Sequence, residues 1–191
     1  MADFSFYFGL GWHHIISPDA LDHILFIIAI AAIYILHDWK QVLILVTAFT
    51  IGHSITLALS VLDIIRLPGD WVEFLIPCTI VVTAATNLFQ RDFTKKSVRV
   101  NYYLAIFFGL IHGMGFANTL RFMLAKDQSL VGGLLGFNLG LEVGQIMVVM
   151  IFLLLGQLLI GLFKVNRRDW VIFLSASAFS LALKMALDRL P

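Results

Sequence analysis

Leu130-Val-Gly-Gly-Leu-Leu-Gly-Phe-Asn-Leu-Gly-Leu-Glu142-Val-Gly-Gln145-Ile-Met-Val-Val-Met-Ile-Phe-Leu-Leu-Leu-Gly-Gln-Leu-Leu-Ile-Gly161 holds a single charged residue, Glu142. About 20 predominantly apolar residues cross the ~30 Å hydrocarbon core as a helix, so this stretch predicts a spanning helix long enough to tilt or protrude. A carboxylate inside such a helix is costly, turned inward and rarely without a function. Asn138, Glu142 and Gln145 follow spacings of four and three and share one face. Gly132, Gly136, Gly140 and Gly144 lie two residues out of step, on the opposite face. Small residues at this spacing let helix backbones approach closely in lipid.

Working outward, similar apolar stretches cover 19–36, 41–61, 71–89, 101–124 and 169–187, separated by charged or Pro/Gly-containing breaks. The whole chain of 191 residues is 60% hydrophobic and 13% charged, where a soluble domain has about 25% charged residues. Its mean hydropathy is +0.95. These features predict an all-α integral membrane protein, with residues 19–191 forming one bundle of six transmembrane helices in the lipid bilayer. The first 18 residues are too short to span on their own and are expected to lie at the interface or to fold back over the bundle. A net charge of +1, with the basic residues in short loops, excludes a nucleic-acid partner. The loops on one side hold eight Lys and Arg and the other side five. The positive-inside rule then puts both termini outside in a multi-pass protein of the cell's inner, cytoplasmic membrane.

That topology gathers the unusual polar residues into the outer half. They are Asp22 and His23, His53 with Ser54, Glu73, His112, and Glu142 with Gln145. Imidazole plus carboxylate is the ligand set of a divalent transition metal, Ni²⁺ or Zn²⁺. Adjacent Asp22 and His23 diverge by about 100° on a helix, so either the helix end is irregular or one residue ligates while the other orients it. Read singly, His53 also suits a core histidine bonded to a hydroxyl, and Glu73 a first-turn carboxylate favoured by the helix dipole. His112 lies among Gly109, Gly113 and Gly115, which admit close approach. His14, beside His13 on the outer side, is a candidate for metal capture. The repeat of Gly109 and Gly113, with that of Gly132 to Gly144, also offers surfaces for a homo-oligomer.

Five stretches in order carry a likeness to a known family. They are Asp22-His23-Ile-Leu-Phe26, Phe49-Thr-Ile-Gly-His53-Ser-Ile-Thr-Leu57, Glu73 followed by Asn87, Phe108-Gly-Leu-Ile-His112-Gly-Met-Gly-Phe-Ala117, and Phe137-Asn-Leu-Gly-Leu-Glu142-Val-Gly-Gln145. Together they resemble the HupE/UreJ family of small membrane proteins, in its broader second branch. The resemblance implies a nickel-type permease with metal ligands among His14, Asp22, His23, His53, Glu73, His112 and Glu142. Ser54, Asn87, Asn138 and Gln145 would support those ligands. Two departures bear on the metal. Nickel-linked members place a His six residues before the Asp, whereas His14 precedes Asp22 by eight, and a second His of the fourth helix is replaced by the run Met114, Gly115, Phe116. The ligand types equally suit a zinc-dependent intramembrane hydrolase with Glu142 or Asp22 as base, and a metal-free structural or assembly protein remains the third reading.

Overall fold

A computed structural model describes residues 2–17, 20–90, 98–117, 120 and 130–191. Every regular element among them is helical: α1 (Ala2–Ile16), α2 (Leu21–Ala31), α3 (Trp39–Val61), α4 (Gly69–Phe89), α5 (Val98–Gly115), α6 (Leu130–Gln157) and α7 (Arg167–Asp188). A 3₁₀ turn at Leu36–Asp38 leads into α3, and a π-helical turn at Leu158–Leu162 prolongs α6.

Six crossings are not all reached by the described residues. Four segments are long and apolar enough to cross, Leu36–Val61, Gly69–Phe89, Val131–Leu162 and Arg167–Asp188, or five if the bent pair α1 and α2 is one broken span. The stretch expected to span at 19–36 forms a helix of only 11 residues. Its buried side chains, from His23 through Phe26 and Ile27 to Ala31, point in all directions around the axis. A helix apolar all round belongs in a core, and α2 is the central rod of this bundle, touching α3, α4, α6 and α7. The helix expected at 101–124 is α5, which runs to Gly115 and carries Asn101 and His112. Most of its expected C-terminal part lies outside the described residues.

Around α2 stand three tightly packed pairs: α3 with α5, α1 with α6, and α4 with α7. Two of them are built on glycine. A Cβ on Gly11 would lie 2.0 Å from the Phe137 carbonyl oxygen, and one on Gly140 would lie 2.0 Å from that of Phe8. Residues 2–16 are therefore a helix laid along the glycine face of α6. Gly52, Gly109 and Gly113 bring α3 and α5 together in the same way, with the Cβ of Gly109 2.1 Å from the Phe49 oxygen. Gly109, Gly113, Gly136, Gly140 and Gly144 thus face neighbours within the chain, and a homo-oligomer would have to use other surfaces. Trp170, at the start of α7, is buried against Gly156.

The helix ends show why the chain turns where it does. α3 closes with Asp63 at φ 64°, where the Ile64 amide donates to Leu59 (2.9 Å) and the Asp63 amide to Ser60 (3.1 Å). This left-handed closure satisfies carbonyls that the helix leaves open. At the end of α2, Asn87 donates through Nδ2 to the Ala29 carbonyl (2.6 Å), and Arg167 through Nη2 to that of Ile33 (2.8 Å). Carbonyls released at membrane depth must find such partners. Pro77 inside α4 lacks an N–H and so frees the carbonyl of Glu73, four residues earlier. The Arg189 Nη1 lies 3.5 Å from that oxygen.

Candidate metal centre

The break between α1 and α2 creates the site. His13 and His14 occupy the last turn of α1, and Asp22 the first turn of α2 with His23 beside it. His53 comes from the middle of α3. One nitrogen from each of His14, His23 and His53 lies within 4.8 Å of the others. A tetrahedral ion bonded at about 2.05 Å would set its ligands about 3.3 Å apart, so the rings need only draw inward. The His112 ring lies 5.2 Å from that of His23 and brings a fourth imidazole to the cluster. Phe49, Phe116 and Phe137 wall the imidazoles, at ring separations of 5.0 Å (Phe49 to His112), 4.4 Å (Phe116 to His14) and 6.3 Å (Phe137 to His53). His53 is 0% exposed and His112 1%.

Hydrogen bonds select which nitrogens are available. Asp22 Oδ1 stands 2.9 Å from His23 Nδ1. An ionised carboxylate can only accept, so Nδ1 carries the proton and Nε2 keeps its lone pair. That Nε2 is buried without a partner. Of the two arrangements open to this adjacent pair, the molecule adopts the one in which Asp22 orients His23. Thr79 Oγ1 donates its one hydrogen to the Ile76 carbonyl (2.7 Å) and lies 3.1 Å from His112 Nε2. His112 must therefore donate from Nε2, leaving a lone pair on Nδ1, which is likewise buried and unpartnered. His14 Nε2 is in the same condition, and His53, beside Asn138, keeps an open nitrogen as well. Clustered imidazole nitrogens are a donor set that suits Ni²⁺ or Zn²⁺.

The other candidates are not among the three residues drawn within 4.8 Å. Glu142 is held by Thr47, which donates to its Oε1 at 2.6 Å, while Thr50 donates to Gln145 Oε1 at 2.8 Å. The polar face of α6 is thus bonded to hydroxyls of α3, and Glu142 is not among the three drawn within 4.8 Å. Ser54 bonds the Thr50 carbonyl (2.7 Å), and Asn138 bonds that of Leu134 (2.8 Å). Asn87 sits at the far end of α2, where it caps Ala29. None of Ser54, Asn87 and Gln145 holds an imidazole in these bonds; Asp22 and Thr79 do. Thr79 has no signal in the sequence, because one hydroxyl in an apolar helix usually bonds its own backbone.

Glu73 is exposed and lines a cleft of about 440 Å³ beside the cluster, with His13, His14, Asp22, His23, His112 and Arg189. His13 is exposed there and His14 is part of the triad. Arg189 Nη1 is 3.8 Å from Asp22 Oδ2 across this cleft.

No curated protein and no solved structure shows a match to the chain. The model of the HupE / UreJ protein family matches residues 1–187. With its several apolar helices and that match over nearly its whole length, this multi-pass membrane protein belongs to the HupE / UreJ family.

Proposed function

We propose that the chain is a permease for a divalent transition-metal ion of the nickel type. His14, His23 and His53 form its ligand set, Asp22 and Thr79 hold His23 and His112 in the required tautomers, and His112 adds a further donor. One observation carries this reading: each of four clustered histidines keeps a buried imidazole nitrogen with no hydrogen-bond partner. A purely structural polar network pairs its own atoms, since orphaned buried groups cost about 1–3 kcal/mol each. The broken α1–α2 element supports the reading too. Transporters use discontinuous helices to expose ligands at depth, and their ion sites alternate between the two sides. The protein would lie in the cytoplasmic membrane; with six crossings the distribution of Lys and Arg would set both termini outside.

A zinc hydrolase is favoured by the open cleft beside three histidines. It is weakened at Asp22, which is bonded to His23. Glu142, whose Oε1 accepts from Thr47 while Oε2 has no partner, and Glu73 at the rim would be left as bases.

The test is accumulation of radioactive Ni²⁺ by cells expressing wild type or His53→Ala at matched abundance in the membrane. Uptake above background that His53→Ala abolishes supports the permease. Equal uptake by both would sink it.

A further inference from the structure

We infer that the cargo reaches this site as a small metal chelate bearing a carboxylate, with Arg189 as the residue that receives the carboxylate. This rests on the permease reading and names the form of its substrate.

Three features of the outer cleft point the same way. The first is size. Six waters around an ion occupy about 180 Å³ at ~30 Å³ each, whereas the open cleft offers about 440 Å³. That volume falls within the range of small-organic-ligand sites, about 300–1,000 Å³.

The second is the wall. Leu10, Ile76 and Phe116 line the cleft. A hydrated dication gains nothing from such a surface, while the carbon skeleton of a chelator is buried by it. Phe116 already packs against His14, at 4.4 Å between ring centroids with the planes tilted by 46°.

The third is charge. A vestibule built for bare cations would carry carboxylates alone. Here the Arg189 guanidinium stands among them. Its recorded contacts, 3.8 Å to Asp22 and 3.5 Å to the carbonyl that Pro77 frees on Glu73, both use Nη1. A guanidinium has five N–H donors in a fixed fork matched to a carboxylate. Arg189 is thus stationed at the mouth by the interrupted helix, with further donors for an incoming anion. The metal of the chelate would meet the histidines while its carboxylate meets Arg189.

The experiment is equilibrium dialysis of detergent-purified full-length protein against radioactive Ni²⁺, alone and premixed with carbon-labelled L-histidine. L-histidine serves as a chelator with a carboxylate and a flat ring. The expected result is co-retention of both labels in near-equal amounts by wild type. In Arg189→Gln the ratio of bound histidine to bound nickel falls about tenfold, the scale of one lost charge-assisted hydrogen bond. Phe116→Ala lowers the same ratio through the opposite wall and covers the case of a misfolded Arg189→Gln. Nickel retained without histidine, or stripped from the protein by it, overturns the inference and leaves the permease intact. Failure to retain Ni²⁺ even without chelator overturns the permease reading and this one with it.

Discussion

A Cβ placed on Gly113 would lie 2.2 Å from the carbonyl oxygen of His53. The packing of α5 on α3 is therefore also the spacing of the site, because His112 and His53 are the neighbours of these two backbone positions.

Gly113→Ala should push α5 away from α3, since backbone cannot yield as a flexible side chain does. Overpacking of this kind costs about 1–3 kcal/mol, and metal binding should weaken with it. Gly69→Ala is the control, with nothing within 4 Å of its Cβ. Thermal unfolding in detergent followed by circular dichroism, with metal content measured beside it, separates the two.

Thr79→Val removes the acceptor that holds His112 in its Nε2–H form while keeping the side-chain shape. Partners of metal-bound imidazoles are typically worth 10–100-fold in affinity. A loss of about that size is expected in Ni²⁺ titrations, with substantial recovery in Thr79→Ser. Equal affinity in Thr79→Val and wild type would remove His112 from the site.

Glu142→Gln should keep the metal. Glu142 bonds Thr47, and an amide oxygen accepts from the same hydroxyl. Elemental analysis of purified protein should show one ion per chain in this variant and none in His53→Ala. Loss of the ion from Glu142→Gln would return Glu142 to the ligand set.

Asn87→Leu should affect stability and spare the metal. It leaves the Ala29 carbonyl at the end of α2 without its 2.6 Å partner, at a cost of about 1–3 kcal/mol for an orphaned buried group. Denaturant midpoint and nickel stoichiometry, measured on the same sample, check both halves.

The sequence made several of these features legible and hid others. Buried histidines in apolar stretches stand out because lipid penalises them, and so His23, His53 and His112 are visible without coordinates. Adjacency leaves two arrangements open for Asp22 and His23, and the fold selects the one in which Asp22 bonds the ring. Glu142 stands out for the same reason, yet its bond to Thr47 is tertiary, and no pattern along α6 distinguishes a ligand from a residue paired across the bundle. The apolar run through Leu36 reads as one span because hydrophobicity does not record where α2 stops. Its end at Ala31 is capped by Asn87 and Arg167 from distant helices. The glycine repeats are plain in the sequence, but whether they meet a neighbour within the chain or a second copy is not.

The docking of α1 on α6 has a consequence for biosynthesis. Gly11 rests on Phe137, and Gly140 on Phe8, so the surface that seats the first helix is encoded near the opposite end of the chain. His14 emerges from the ribosome early, but α1 lacks its main seat until α6 has entered the membrane. The three-histidine set is thus completed after most of the polypeptide has been inserted. A nascent chain halted before α6 would carry all four histidines and still lack the helix that seats the first of them.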